Sequence, residues 1–355
     1  MVGFVILGMF LGNWYKFESS TTVIYICDFA LLLLIFCGGF EIDYAKIKPV
    51  LAVSLVLSAA GTILTALLSG VFLYYVLGLE FYQAALLGSV ISSTDSASIF
   101  SVLRSKQLDL KNNLDSVLEA ESSSNDPFAH ILTVVFITLA RGGTQGILSL
   151  LIPQIIVGIL SGLIFAKLGQ LFINRINLDI DGIYGAILFG VAFIIYGAAH
   201  QFGGNGFLAV YIGGVILGNV KLVYKGYLLR LCGAVFILMQ IILLIVLGMV
   251  YVSSSVRAVV GHALAFAVFL FFISRPFLTF MLMKPFNHSL KEIALVSWAG
   301  FRGVSSIVFA TYAFTSGLPY SEYIFSVVFF VCMLSVIIQG TFFGFMARKL
   351  GLIED

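Results

Sequence analysis

Long apolar runs alternate with short polar stretches along the whole chain. A helix needs about 20 apolar residues to cross the hydrocarbon core of a bilayer, and runs of roughly that order recur from one end to the other. The pattern therefore predicts an all-α polytopic membrane protein with about twelve transmembrane helices. The predicted spans are residues 1–14, 22–40, 50–77, 82–103, 115–140, 146–167, 183–201, 205–219, 228–252, 259–283, 290–315 and 321–347.

Composition supports a membrane protein and argues against other classes. Only 10% of the 355 residues are charged, against about 25% in a soluble domain, so no soluble domain is expected. The sequence shows no nucleic-acid-binding pattern, and no cofactor is expected. The cysteines are expected to be free packing residues, because they lie in apolar runs without metal-site spacing. They are Cys27, Cys37, Cys232 and Cys332.

The lysines and arginines fall mainly in every second polar stretch. Basic residues concentrate in cytoplasmic loops, so both ends of the chain are predicted to be cytoplasmic, which requires an even number of spans. The protein is accordingly expected in the cell membrane, surrounded by lipid. The basic stretches hold Lys46, Lys48, Arg104, Lys106, Lys111, Lys167, Arg175, Lys221, Lys225, Arg230, Lys284, Lys291, Arg348 and Lys349.

One polar stretch lies inside a span rather than between spans. The run from Glu121 to Asp126 reads ESSSND and lies near the middle of the predicted helix 115–140. An ionisable group at that depth costs about 3 to 10 kcal/mol, depending on how much water reaches it. This cost predicts an ion or proton site centred on Asp126. Ser123 and Ser124 are expected instead to hydrogen bond to the backbone of their own helix.

Two further spans are interrupted by small and hydroxyl residues around a single charge. One interruption covers residues 89–98 and contains Asp95, and the other covers 298–306 and contains Arg302. The two spans cross in opposite directions, and such a pair of broken helices is typical of inverted-repeat transporters. Glycine and serine could instead serve close helix packing, but that role explains neither Asp95 nor Arg302.

The stretches around these charges carry a family resemblance. ISSTDSASIFSVLRSKQLDL and LDSVLEAESSSNDPFAHILT resemble the monovalent cation:proton antiporters of the sodium–hydrogen exchanger superfamily, in particular its bacterial branch. Further similar stretches, in order along essentially the whole chain, are 204–219, 238–251, 273–280 and 297–313.

The resemblance implies one transmembrane exchanger domain over residues 1–355, which exchanges Na⁺ or K⁺ for H⁺. The family plan has thirteen helices in two inverted repeats, of which this chain is expected to lack the first. Two broken helices cross beside the ion site in a mobile core domain, here around 82–140 and 259–315. The remaining helices form a scaffold and the contacts of a homodimer.

The chain departs from the family pattern in the second span and after Arg302. Cys37 precedes Gly38-Gly39 where many relatives have an acidic residue, which removes a potential ligand. The Gly-x-x-Pro-Ile that often follows the arginine reads Gly303-Val-Ser-Ser-Ile307 here. The break in that helix must therefore depend on glycine and serine. These residues do not distinguish sodium from potassium.

Asp126 is expected to carry the exchanged ion. A carboxylate in a narrow, partly dehydrated cavity holds a proton or a cation but hardly both, and this competition is itself an exchange mechanism. Relatives with two adjacent aspartates are associated with electrogenic exchange, so the neutral Asn125 favours electroneutral one-to-one exchange. Alkali cations prefer oxygen ligands, which Thr94, Asp95 and Ser122 are expected to supply beside Asp126.

Other polar residues in the spans have predicted supporting roles. Glu121 and Arg302 are expected to form a structural ion pair, because each alone would be a costly buried charge. Asp95 could equally offset the N–H groups at the ends of the broken helices. His130 lies one turn beyond Asp126 and could share its face and tune the pH response.

Three alternatives compete with an antiporter. An intramembrane aspartyl hydrolase would use Asp95 and Asp126 as a pair, but their sequence contexts argue against it. Neither HExxH nor GxSxG occurs in the chain, so no enzyme is expected. Broken helices around a carboxylate suit alternating access better than a channel. A non-transporting, degenerate family member stays open because of Cys37 and the short first span.

Overall fold

The structure is a computed structural model, and it describes residues 2–14, 20–105, 110–144, 146–176, 181–250 and 253–354. These residues are almost entirely helical, because a backbone surrounded by lipid must satisfy its N–H and C=O groups internally. The β-structure within them is one isolated bridge between Leu110 and Ile353. The helices are α1 Val2–Trp14, α2 Ser20–Glu41, α3 Tyr44–Ile47, α4 Leu51–Leu55, α5 Gly61–Tyr75, α6 Phe81–Ile91, α7 Ser96–Ser105, α8 Leu114–Ala140, α9 Ile147–Arg175, α10 Asp181–Gln201, α11 Gly206–Asn219, α12 Lys225–Val250, α13 Ser253–Phe269, α14 Arg275–Met283, α15 Leu290–Trp298, α16 Val304–Thr315 and α17 Ser321–Leu350.

The all-α polytopic fold predicted from the apolar runs is confirmed. Single π-helical turns join α4 to α5 and α13 to α14, so these pairs form continuous helical stretches. Helices α1, α6, α11 and α16 are shorter and apolar, so the number of about twelve crossings stays a prediction. Seven described stretches are long and apolar enough to span a membrane: Thr21–Glu41, Tyr44–Tyr75, Ile147–Arg175, Gly182–Gln201, Lys225–Val250, Val259–Phe286 and Ser321–Leu350.

Both predicted interruptions separate two half-helices. Residues 92–95 lie between α6 and α7, and residues 299–303 lie between α15 and α16. The backbone N–H of Asp95 donates to the C=O of Phe301 at 2.8 Å. The two breaks are therefore in direct contact.

Helix α8 runs beside both breaks and carries the polar stretch. Every residue from Ala120 to Pro127 is buried, and the helix contacts α6, α7, α11 and α16. Pro127 has no backbone N–H, so it leaves the C=O of Ser123 without its usual helical partner. The chain thus brings its most polar helical segment to the point where the two breaks meet.

The remaining helices pack through close backbone approaches. Helix α2 contacts α11 and α12, and α1 contacts α12. A Cβ atom on Gly218 of α11 would overlap the backbone C=O of Phe40 in α2. Small residues at such positions let helices approach closely in a membrane, where lipid supplies no hydrophobic drive for their association.

The bundle has two distinguishable ends. At one, which we call the basic end, Asn219 donates to the C=O of Ile42 at 2.8 Å and Asn112 donates to Glu292 Oε1 at 2.5 Å. The loops there lie next to several of the lysines predicted to be cytoplasmic. At the opposite end, Arg141 beyond α8 donates from Nε to the C=O of Ser316 beyond α16 at 3.1 Å.

Candidate functional site

The side chain of Arg302 satisfies backbone groups that the first break leaves open. A helix that ends inside the bundle exposes C=O groups without helical partners. Nη1 of Arg302 donates to the C=O groups of Ser92 at 2.6 Å and Ser93 at 2.8 Å. The backbone N–H of Arg302 donates to Ser335 Oγ at 2.8 Å. The guanidinium of the second break therefore caps the end of α6.

Asp95 of the first break lies at the helix end that the second break exposes, just as Arg302 of the second break lies at the end of α6. Its carboxylate lies so close to Gly303 that a Cβ atom there would overlap it. Gly303 is the residue immediately before α16, and a negative charge at a helix N-terminus is stabilising. Ser98 donates to Asp95 Oδ2 at 2.5 Å. This geometry fits the predicted role of Asp95 in offsetting helix ends.

Asp126 receives one hydroxyl from each broken helix. Ser93 Oγ donates to Asp126 Oδ1, and Ser305 Oγ donates to Asp126 Oδ2 at 2.9 Å. The carboxylate is almost fully buried, with 1% of the residue exposed. The group that the sequence predicts as the carrier is thus held between the two breaks, at the junction of three helical segments.

A second set of polar side chains adjoins Asp126. Asn125 Nδ2 donates to Thr94 Oγ1 at 2.5 Å, and Thr94 Oγ1 lies 2.9 Å from Ser122 Oγ. Ser93 Oγ also lies 3.3 Å from Asn125 Oδ1. The structure therefore brings Thr94, Ser122, Asn125 and Asp126 into one buried cluster. Hydroxyl and carboxylate oxygens of this kind are the ligands that alkali cations prefer.

The direct ion pair predicted between Glu121 and Arg302 is wrong. Glu121 Oε1 lies 2.6 Å from Nη2 of Arg275, at the start of α14. The guanidinium of Arg302 instead donates to C=O groups of the first break. Arg275 approaches Glu121 past Gly300. A Cβ atom on Gly300 would lie 2.6 Å from Nε of Arg275, so the missing side chain leaves room for the guanidinium.

Ser123 and Ser124 bond to their own helix, as predicted. Ser123 Oγ donates to the C=O of Glu119 at 2.6 Å, and Ser124 Oγ donates to the C=O of Ala120 at 2.5 Å. Both bonds turn hydroxyls back along α8 and away from Asp126. They separate these two serines from Ser122, which contacts Thr94.

His130 lies beyond the cluster, in aromatic surroundings. Its Nδ1 lies 2.7 Å from Nδ2 of Asn205, the residue before α11. Its ring is 4.8 Å from that of Phe207 and 5.3 Å from that of Tyr312, between centroids. These contacts fix the imidazole one turn above Asp126, and its predicted effect on the pH response stays a prediction.

The sequence analysis does not name three residues of the site: Ser93, Ser305 and Arg275. The serines could be found only as hydroxyls within the predicted interruptions, where several others compete. Arg275 meets the same criterion as Asp126, a charge within an apolar span, and that criterion alone does not name its partner. Within the described residues, no group of three or more His, Cys, Asp and Glu side chains could hold a metal centre.

Comparisons with known proteins identify the family of this chain. The model of the family described as sodium/hydrogen exchanger, transmembrane, matches residues 1–349. A K(+)/H(+) antiporter NhaP of Alkalimonas amylolytica is 31% identical over 356 residues, which cover 98% of this chain and 62% of that protein. A K(+)/H(+) antiporter NhaP2 of Shewanella baltica is 31% identical over 334 residues, covering 91% and 57% respectively.

A solved structure shows the same fold. The sodium proton antiporter MjNhaP1 from Methanocaldococcus jannaschii, at pH 8, superposes with a TM-score of 0.85 and 22% identity. The match covers 98% of this chain and 91% of that one. This chain spans about three fifths of the length of the curated potassium/proton relatives above. The chain belongs to the transmembrane sodium/hydrogen exchanger family.

Proposed function

We propose that this chain is a secondary antiporter that exchanges a monovalent cation for protons, with Asp126 as the shared carrier. The observation that carries the proposal is the position of Asp126, whose two carboxylate oxygens each accept a hydroxyl from a different broken helix. The names of the relatives, K(+)/H(+) antiporter and sodium proton antiporter, support the same class of transport.

The hydroxyls around Asp126 suit both states of the carrier. A hydroxyl offers one donor and two acceptor lone pairs. Ser93 and Ser305 donate to the carboxylate in this structure, and after rotation the same oxygens can face a cation. Thr94 and Ser122 add further oxygens nearby. A proton on Asp126 removes the negative charge that holds the cation, so the two ions compete for one group.

The other charges of the site have partners, which favours electroneutral one-to-one exchange. Glu121 is paired with Arg275, and Arg302 is held by backbone C=O groups. Asp95 receives Ser98 and lies at the start of α16. Asn125 carries no charge. Asp126 is then the single group at this site that changes its state during a cycle.

The mobile core, the orientation and the homodimer belong to the same proposal. Buried hydrogen bonds and the ion pair join α6–α8 with α14–α16, which supports a core around 82–140 and 259–315 that moves as a unit. The remaining helices would hold the scaffold and the contacts with a second copy. The basic end would face the cytoplasm with the C-terminus, in a multi-pass arrangement in the cell membrane.

The test is proton flux into sealed proteoliposomes that enclose a pH-sensitive dye. NaCl, KCl or LiCl is added in turn to vesicles with wild type, Asp126→Asn or Asp115→Asn. Asp115 lies in the first turn of the same helix, so its substitution is a matched control. We expect cation-evoked pH changes in wild type and Asp115→Asn and a loss of at least about a hundredfold in Asp126→Asn, because the amide cannot exchange a proton.

Charge balance is tested in the same vesicles with a sodium or lithium gradient. Valinomycin and equal potassium on both sides clamp the membrane potential, and potassium exchange is measured without valinomycin. An electroneutral exchanger keeps its initial rate when the potential is changed. Folded wild type that shows no cation-evoked flux with any of the three salts would refute the antiporter and support a non-transporting member of the family.

A further inference from the structure

A second ionisable group lies inside the bundle, away from the site described above. Asp28 is in α2, eight residues after its first residue, in a stretch that is long and apolar enough to span a membrane. It lies toward the opposite end, where α2 begins. An acid inside a span is costly and by default functional, and exchange at Asp126 alone gives it no role.

Asp28 is surrounded by groups that can hold or pass a proton. Its Oδ1 accepts a hydrogen bond from the phenol of Tyr312 on α16. Helix α10 packs against α2 and brings Tyr196 and His200 near Asp28, with 6.5 Å between the centroids of the two rings. Cys27 is its titratable neighbour on α2 and is fully buried. Asp28 itself is partly exposed, as is Tyr312, while His200 at the end of α10 is exposed.

Tyr312 connects this outer group with the carrier. Asp126 and His130 are four residues apart on α8, and Ser305 and Tyr312 are seven apart on α16, so each pair shares a helix face. The inner level is the 2.9 Å bond from Ser305 to Asp126. The outer level is the contact between the rings of His130 and Tyr312, 5.3 Å between centroids.

The outer level lies about 6 Å beyond the inner one along α8 and about 10 Å beyond it along α16, at 1.5 Å per residue. Asp28 joins the outer level by accepting a hydrogen bond from the phenol of Tyr312. Titratable side chains therefore follow one another from Asp126 toward the opposite end: His130, Tyr312, Asp28 and the exposed His200.

The chemistry of the outer level selects its ligand. Carboxylate, imidazole and phenol are all proton-binding groups, each with its own pH range. Alkali cations prefer an all-oxygen site, and the imidazole of His130 offers nitrogen. We propose that Asp28, positioned by Tyr312, is a second proton-binding site, which takes up protons from water at the opposite end and supplies them to Asp126.

This inference deepens the proposed function and rests on it. The proton leaves hydronium for the carboxylate of Asp28 and later leaves Asp28 for the carboxylate of Asp126, so atoms and charge balance at each step. The cation uses only the inner cluster. Removal of Asp28 should then change how exchange depends on pH at the opposite end, and leave the dependence on cation concentration unchanged.

The first experiment measures exchange against the pH of the bath in vesicles whose bath side is the opposite end, at constant internal pH. In Asp28→Asn we expect half-maximal exchange to require about tenfold more protons, because the outer carboxylate is gone. In Tyr312→Phe we expect the opposite shift, since the carboxylate loses a donor that favours its charged form. Glu80→Gln, at an exposed acid before α6, is the matched control and should follow wild type.

Unfolding temperatures of all three variants are measured in detergent alongside. Damage to the fold would lower the rate without moving the two variants in opposite directions on the pH axis. A pH profile of Asp28→Asn that coincides with that of wild type, or a change in its cation dependence instead, would overturn the second site.

The second experiment does not depend on transport. Asp28→Cys is exposed to a membrane-impermeant thiol reagent from the opposite end, with Glu80→Cys as the positive control. The native cysteines are buried and give the background. Labelling of Asp28→Cys above that background is expected, and labelling no faster than background would overturn the site. If Asp28→Cys is labelled but the protein shows no cation/proton exchange, water does reach position 28. That result would refute only the proposed antiporter function.

Discussion

The two broken helices carry opposite charges, and each break compensates a helix end that the other exposes. The first break contributes Asp95, which lies against the start of α16 at Gly303. The second contributes Arg302, which donates to the open C=O groups of Ser92 and Ser93 at the end of α6. Each break therefore supplies the charge that complements the helix end exposed by the other.

The difference between the breaks shows how a charge can be buried without becoming a carrier. The guanidinium of Arg302 donates to backbone C=O groups, and the carboxylate of Asp95 accepts from Ser98. Each break then adds one neutral serine to Asp126. The ionised groups of the breaks stabilise the crossing, while the hydroxyls serve the carrier. The comparison predicts that charges and hydroxyls of the breaks fail in different ways when they are removed.

Loss of the positive charge should have the largest effect. Arg302→Leu leaves two buried C=O groups without their donor and removes a compensating charge from the site. We expect a loss of about 3 to 5 kcal/mol in the free energy of unfolding, the range for breaking a buried charged interaction. Thermal unfolding of purified protein measures it, with the exposed Arg348→Leu as control. Equal stability of the two variants would contradict the capping role of Arg302.

The contact between the breaks should be sensitive to one added carbon. A Cβ atom in Gly303→Ala would overlap the carboxylate of Asp95, which accepts a hydrogen bond from Ser98. Overpacking of this kind costs about 1 to 3 kcal/mol. The control is Gly340→Ala in α17, where a Cβ atom meets no neighbour within 4 Å. If Gly303→Ala unfolds at the temperature of Gly340→Ala, the two breaks do not constrain each other as described.

The sequence predicts which residues form the site better than it predicts which of their side chains contact each other. A charge such as Asp126 inside an apolar run is visible because its cost does not depend on its partner. The partner itself depends on how helices distant in the sequence pack. The sequence therefore predicted Arg302 as the partner of Glu121, whereas the route past Gly300 that favours Arg275 exists only in the folded bundle.

The partners of hydroxyl groups are also hard to predict from the sequence. Ser122, Ser123 and Ser124 are adjacent in the sequence, yet the last two bond to their own helix and Ser122 contacts Thr94. The backbone alternative could be predicted, since serines within helices often bond to the preceding turn. The role of Ser305 could not, because it depends on the distance from α16 to Asp126.

The hydroxyls of the two breaks should give the smallest and most specific effect. Ser93→Ala and Ser305→Ala each remove one donor to Asp126 and one oxygen that can face the cation. Since a hydrogen bond to a charged group contributes about 1.5 to 3 kcal/mol, we expect half-maximal exchange to require at least tenfold more cation, with the unfolding temperature nearly unchanged. Ser123→Ala, whose hydroxyl bonds to the C=O of Glu119 on the same helix as Asp126, should match wild type.

The double variant of Ser93 and Ser305 then separates two arrangements. If both oxygens contact one bound cation, the two losses are coupled and the double variant differs from the sum of the single ones. Additive losses would indicate that each serine acts on the carboxylate alone. If instead the single variants lower the unfolding temperature and leave the cation dependence unchanged, the serines belong with Asp95 and Arg302 as part of the crossing. The division between structural charges and functional hydroxyls would then be wrong.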